Sequence, residues 1–264
     1  MSLLPFAIDV AHRAGAILAE LRGRVDVEYK NGVEPVTEAD LRSDALIREA
    51  VAATYPGHRV LSEEGAGPAD LAGPVWVVDP IDGTANYARG HPYVAVSIAY
   101  AVDGVVQAGV VHAPFLRETF TAVRGSGAWL DGVPIHPSDP PHLRQAIVST
   151  GFPHHKGDLD PLVERVRRLL TGCQDIRRAS CPSLDICYVA AGRLDAHTES
   201  LAPWDVAAAG LIAVEAGAVR SHLEPDDFPT DLAGNGFLVA APTVHDPLVR
   251  LLGGPLRPAG TPVR

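Results

Sequence analysis

The stretch from Val75 to Tyr87, Val-Trp-Val-Val-Asp-Pro-Ile-Asp-Gly-Thr-Ala-Asn-Tyr, constrains this chain more than any other. Four apolar residues lead into two acids, Asp79 and Asp82, and a Gly-Thr step follows. That order reads as a buried strand delivering carboxylates to a turn that opens a short helix. Two like charges at the end of an apolar strand are strongly unfavourable unless a cation or strong donors compensate them. A divalent metal is the simplest resolution. The alternative is that one Asp caps the turn and the other is solvated. Gly83 lets the backbone approach an anion, and the exposed N–H groups of a helix start favour phosphate.

Periodicity places the remaining elements. Ala7, Val10, Ala11, Ala14, Leu18 and Leu21 form one stripe of a helix over 3–22, ended by Gly23. A strand over 25–29 follows. Thr37 and Asp40 have capping-box spacing, and Leu46, Ile47, Ala50 and Val51 supply the buried face of a second helix that Pro56-Gly57 ends. A short strand over 59–61 runs into Glu63-Glu64 and a flexible Gly65-Ala66-Gly67. Strand-like runs over 94–102, 105–112, 118–123 and 128–130, with the turn signals Asp103-Gly104 and Asp131-Gly132, predict helices packed on an antiparallel sheet.

The Pro-rich segment Pro134 to Pro141 changes the pattern. Beyond it, strands over 146–150, 174–177, 194–197 and 236–240 alternate with helices over 161–170, 182–191, 205–216 and 244–252, which predicts helices layered on a second sheet. The expected fold is therefore α/β of the α+β kind, one compact unit of two halves, 1–138 and 139–264. The Pro- and Gly-rich tail from Pro255 to Arg264 reads as frayed.

Composition narrows the function. Hydrophobic residues make up 47% of 264 and charged residues 20%, which excludes a disordered chain. A net charge of -10 without a Lys or Arg patch argues against nucleic acid and anionic membranes as partners. Arg165, Arg167 and Arg168 read as the solvated face of a helix. The longest apolar run, Val206 to Val219, is broken by Glu215 and too short for a bilayer. The N-terminus has no basic-then-apolar leader, so the expected location is cytoplasmic. Cys173, Cys181 and Cys187 form no Cys-x-x-Cys pair and are odd in number, which fits reduced thiols.

Three further acids stand at element ends. Glu63-Glu64 is either a solvated loop or a ligand pair, Asp205 either caps an Ala-rich helix or binds metal, and Asp40 has at least its capping role. Hard oxygen donors without a His or Cys cluster favour magnesium or manganese over zinc. His154-His155, in a polar loop, reads as solvent-exposed.

Glu63-Glu64, Trp76 to Tyr87, Pro92-Tyr93-Val94-Ala95-Val96-Ser97-Ile98 and Trp204-Asp205-Val206-Ala207-Ala208-Ala209-Gly210 occur in that order. Together with Val36 to Asp40 and Ala190 to Ala196, they resemble the inositol monophosphatase family over nearly the whole chain. The resemblance implies a layered α-β-α-β-α sandwich, a homodimer, two or three Mg2+ per active site (Mn2+ as a substitute) and lithium inhibition. It implies that Glu63, Asp79 and the carbonyl of Ile81 hold one metal, and that Asp79, Asp82 and Asp205 hold a second. Gly83 and Thr84 would bind phosphate through backbone N–H groups. Asp40, Thr84 and Glu63 match positions that orient the nucleophilic water or hold a third metal's water shell. Glu199 matches the carboxylate that meets the substrate hydroxyl, so the substrate side comprises Asp82, Gly83, Thr84, Glu199 and Asp205. This chain has Ser180-Cys181-Pro182-Ser183 where family members usually have Gly-Ser/Thr-Ala-Ala.

The implied reaction is hydrolysis of inositol 1-phosphate, a small phosphorylated polyol, by metal-activated water. Histidinol phosphate, fructose 1,6-bisphosphate and adenosine 3',5'-bisphosphate are alternative substrates, and a non-catalytic phosphate-ligand or protein-binding regulator is an alternative role. A haloacid-dehalogenase-type phosphatase would form an aspartyl-phosphate. Its two acids are separated by one residue, whereas two residues separate Asp79 from Asp82.

Overall fold

The computed structural model describes residues 2–24, 27–30, 32–65, 71–153, 157, 159–225, 227–228 and 231–253. Helix α1 (Leu3–Leu21) buries the predicted stripe of Ala7, Val10, Ala11, Ala14 and Leu18. Helix α2 (Glu38–Thr54) starts at the predicted capping box of Thr37 and Asp40. Between them lies a hairpin, β1 (Val27–Lys30) and β2 (Glu34–Thr37). The predicted strand start at Val25 and the tail from 255 lie outside the described residues.

A seven-stranded sheet follows, built from β3 (Arg59–Ser62), β4 (Pro74–Asp82), β5 (Ala95–Val102), β6 (Val105–Ala113), β7 (Glu118–Val123), β8 (Gly127–Leu130) and β9 (Val133–Pro134) in that spatial order. Only β3 and β4 run parallel; the other pairs are antiparallel. Both signalled turns are left-handed at each central residue: φ is 50° at Asp103 and 77° at Gly104, and 49° at Asp131 and 79° at Gly132. That backbone twist matches the flanking strands.

The second sheet has the order β11-β10-β12-β14-β13, from β10 (Ile147–Thr150), β11 (Asp175–Arg177), β12 (Ala196–Glu199), β13 (Val219–His222) and β14 (Phe237–Ala240). Its helices are α4 (Asp160–Gly172), α5 (Pro182–Ala190), α6 (Pro203–Ala216) and α7 (Pro242–Leu252), and the short α3 (Thr84–Ala88) belongs to the first half.

Three apolar clusters define the layers. One joins α1 and α2 to the outer face of the large sheet, one joins α5 and α6 to both sheets, and one joins α4 and α7 to the outer face of the small sheet. The predicted α-β-α-β-α sandwich is therefore the observed one. Helix α6 carries a continuous buried run from Val206 to Ala213, as a helix enclosed between two sheets requires. Among the described residues no helix is long and apolar enough to cross a membrane.

Several local expectations change. β4 continues four residues beyond its apolar run, and β12 lies two residues later than predicted. β13 was not anticipated, because its Val-Arg-Ser-His sequence buries only Val219 and shows no apolar alternation. Arg167 and Arg168 do sit on the outer face, bonded to Glu164, but Arg165 turns inward and donates to the Gly151 carbonyl at 2.8 Å.

One contact fixes the position of α6. A Cβ on Gly109 of β6 would lie 2.9 Å from Ala208 Cα and 3.0 Å from its carbonyl oxygen. Gly109→Ala is expected to destabilise the fold by about 1–3 kcal/mol, seen as a lower urea midpoint, because either the helix or the strand must move.

Candidate metal and phosphate site

On a regular strand Asp79 and Asp82, three positions apart, would face opposite sides of the sheet. The structure avoids this with a register shift. β4 pairs regularly with β5 through Asp79 opposite Ser97, then resumes only at Asp82 opposite Ala95. Pro80, which has no N–H to give the ladder, sits in the irregular step, and such a bulge re-aims the side chain after it. Both acids are nearly inaccessible, Asp79 at 1% and Asp82 at 4% exposure.

Asp205 arrives from the helix layer between the two sheets, in the first turn of α6. Its carboxylate accepts the Ala202 N–H at 2.8 Å, so it caps the helix and also joins the acids of β4. One oxygen each from Asp79, Asp82 and Asp205 lies within 4.8 Å of the others. The capping and ligand alternatives thus coexist. Glu63 follows β3, its N–H bonded to the Val78 carbonyl at 3.2 Å, and its carboxyl bonds with that of Asp79. Glu64 turns aside to pair with Lys30.

Ionising these groups together without a cation is unfavourable, and their pKa values show it. Burial raises Glu63 and Asp205 to about 8, with further increments from Asp205 and Glu64 on Glu63 and from Asp82 on Asp205. Burial also raises Asp82 to about 7 against the opposing bonds from Ser183 and Cys181. Asp79 is raised well above the usual carboxylate range by burial and then by Glu63, Asp82 and Asp205.

Gly83 turns the chain between β4 and α3. Its φ is 90°, and a Cβ there would press within 3.1 Å of the carbonyls of Ser180 and Tyr93, so a side chain would be both strained and crowded. Thr84 Oγ1 lies 3.0 Å from both the Ile81 carbonyl and Asp40 Oδ1, and its one proton serves either. Asp40 Oδ2 takes the Thr37 N–H at 2.7 Å and the Thr37 hydroxyl at 2.6 Å. Burial raises Asp40 to about 6 against those bonds.

Helix α2 does more than carry Asp40. Ser43 donates to the Pro80 carbonyl at 3.0 Å, and Asp44 accepts the Ser62 hydroxyl at 2.6 Å. Positions 40, 43 and 44 share one helix face and so pin the ends of β3 and β4 together.

The Ser180 to Ser183 segment forms the opposite wall. Ser183 donates its N–H to Asp82 Oδ2 at 2.7 Å and its hydroxyl to the same oxygen, so Asp82 caps α5. Ser180 adopts φ 61°, a left-handed conformation that ordinarily favours glycine. Asn86 ties the walls together by donating to the carbonyls of Tyr93 at 2.8 Å and Ala179 at 2.7 Å.

A cavity of ≈ 560 Å³ is lined by Glu63, Asp79, Ile81, Asp82, Gly83, Thr84, Glu199 and Asp205, and by Arg178. Asp40 stands one contact behind it, through Thr84. Burial, then Asp205, raises Glu199 to about 8 against Arg178 and Arg165. The His154-His155 pair lies outside the described residues. Sequence reasoning named Asn86 and Ser183 only within their motifs, without the bonds they make, and missed Ser43 and Asp44. Of the two missed, only Asp44, four residues after Asp40, left a signal.

Residues 1–252 match the profile of the inositol monophosphatase family. The chain belongs to the inositol monophosphatase family. An inositol monophosphatase of Mesembryanthemum crystallinum is 36% identical over 255 residues, covering 93% of this chain and 94% of its own. The Nus factor SuhB of Pseudomonas aeruginosa is 39% identical over 229 residues, covering 83% and 84%. The solved structure of an IMPase from Thermotoga maritima has a TM-score of 0.82 at 32% identity, covering 94% of this chain and 96% of that one. Membership in this family of metal-dependent phosphatases accounts for an acid cluster that is otherwise hard to reconcile with burial.

Proposed function

We propose that this family member is a magnesium-dependent phosphomonoesterase that hydrolyses inositol 1-phosphate to inositol and phosphate. The observation that carries the reading is the trio of Asp79 and Asp82, both buried, and the half-buried Asp205, with oxygens within 4.8 Å of one another and Glu63 bonded to Asp79. Acids whose pKa values are all raised, with no His or Cys among them, fit a hard divalent cation. When bound, two or three Mg2+, or Mn2+ in their place, would lower the pKa of a water and neutralise charge on the departing oxygen. Glu63, Asp79 and the Ile81 carbonyl would hold one ion, and Asp79, Asp82 and Asp205 another.

The remaining residues have roles that their bonds support. With its hydroxyl donating a hydrogen bond to Asp40, Thr84 Oγ1 can accept a hydrogen bond from the attacking water and so aim the water's lone pair at phosphorus. The N–H groups of Gly83 and Thr84 would hold phosphate oxygens. Glu199, with Asp82 and Asp205, would meet the polyol. A homodimer, a cytoplasmic location and a division near 138/139 belong to the same reading, the last supported by every strand up to Pro134 lying in the hairpin or the large sheet and every strand from Ile147 in the small one.

The SuhB relatives are named as Nus factors, which raises a regulatory role as a second reading. A binding module would have no use for the water-activating set, and this favours turnover. The test is phosphate release with Mg2+ from inositol 1-phosphate, histidinol phosphate, fructose 1,6-bisphosphate and adenosine 3',5'-bisphosphate. The highest kcat/KM is expected for inositol 1-phosphate, with lithium inhibition that weakens as Mg2+ is raised. A higher kcat/KM for another substrate would reassign the substrate, and no release from any would sink the enzyme reading.

A further inference from the structure

We infer that His197 is a positioning residue for Glu199, its ring Nε2 fixing the carboxyl that receives a hydroxyl of the leaving alcohol. The inference rests on the reading of Glu199 as that hydroxyl's partner. Strand alternation puts residues 197 and 199 of β12 on one face, and His197 is the deeper of the two, with 0% exposure. Ser149, its register partner on β10, places its hydroxyl 2.8 Å from His197 Nδ1.

Nε2 is buried and has no hydrogen-bond partner among the described residues. An orphaned imidazole nitrogen in a core is unfavourable and asks for a reason. Glu199 Oε2 stands 3.7 Å from it, so a shift of about 0.8 Å would close the gap to an ordinary bond. Glu199 also lies against Gly151, where a Cβ would overlap the carboxyl. Gly151 therefore leaves the room that the carboxyl occupies beside the unsatisfied ring nitrogen.

Either tautomer serves. If Ser149 donates to Nδ1, Nε2 carries a proton for the carboxylate. If Nδ1 donates to Ser149, whose own proton then goes to the Ala196 carbonyl at 3.4 Å, Nε2 accepts from a protonated Glu199. Burial lowers His197 to about 3, so the ring stays neutral. Asp185 Oδ2, 3.8 Å from Nδ1, backs the ring and is itself engaged by the Tyr93 hydroxyl at 2.8 Å from Oδ1. A substrate hydroxyl that draws Glu199 into place completes the chain from Ser149 through His197 to the cavity.

The test is the split between KM and kcat. His197→Phe is expected to raise KM for inositol 1-phosphate about tenfold with kcat nearly unchanged. KM for 4-nitrophenyl phosphate, which has no hydroxyl to place, should not move. His197→Gln, whose amide reaches where Nε2 stood, should restore KM, whereas the shorter His197→Asn should not. In a Glu199→Ala background His197→Phe should add nothing. Equal rises on both substrates, or additive effects in the double variant, would overturn the inference while leaving Glu199 in its role. If Glu199→Ala leaves KM unchanged, the reading of Glu199 falls and the inference falls with it. Should His197→Phe fail to fold, equal KM values for the Gln and Asn variants would overturn it.

Discussion

Asp205→Asn is expected to lower phosphomonoester turnover by on the order of 10³-fold while leaving the fold intact. Asp205 has two separable tasks. Its carboxylate caps α6 through the Ala202 N–H, and it adds an oxygen and a charge to the trio with Asp79 and Asp82. An amide oxygen can keep the cap, so the substitution removes the charge alone. Without metal that charge is a burden, since it raises both Glu63 and Asp79. Melting in chelator should therefore be unchanged or higher for Asp205→Asn, and lower for Asp205→Ala, which loses the cap at a cost of about 1 kcal/mol. Turnover at saturating Mg2+ and melting in chelator check the two halves separately. Near-native turnover in Asp205→Asn would remove Asp205 from the site.

The same double use of residues explains what the sequence made legible. Thr37 and Asp40 could be read because a capping box is local, a matter of spacing along one helix start. The Asp103-Gly104 and Asp131-Gly132 turns are local in the same way. Asp79 and Asp82 could be read as a pair of buried acids that a cation would compensate, but not how the strand brings them together, because three-residue spacing on a regular strand separates them. The register shift that reunites them depends on how β5 resumes pairing, and no window within β4 contains that information. The bond of Ser183 to Asp82 and the setting of His197 were silent for a related reason. The partner of Ser183, Asp82, is a hundred and one residues away, and a lone His in a short strand reads as core until Glu199 and Ser149 are seen around it. Resemblance to a family supplied the long-range pairings that composition and periodicity could not.

The second large effect is on pH dependence, and its sign follows from the raised acids. Between pH 6.5 and 8 the metal-free protein is expected to lose stability as pH rises. Folding holds protons on Glu63, Asp205 and Glu199 up to about 8 and on Asp82 up to about 7, whereas the unfolded chain has released all of them by then. Where the folded state binds more protons, stability falls with pH by about 1.4 kcal/mol per unit for each extra proton. His112 and His197, lowered to about 4 and about 3, act in the opposite direction, but only below the ordinary His pKa of 6.5, which is why the window begins there. Mg2+ should reverse the trend. A cation entering the trio must displace those protons, so its apparent affinity should rise about tenfold per pH unit for each proton released. Melting temperatures with chelator and with Mg2+ should therefore diverge from pH 6.5 to pH 8, and calorimetry in buffers of different ionisation enthalpy should count the protons. Metal-free stability that climbs across this window would mean that the cluster is already ionised, and the argument from buried acids to a metal centre would fail.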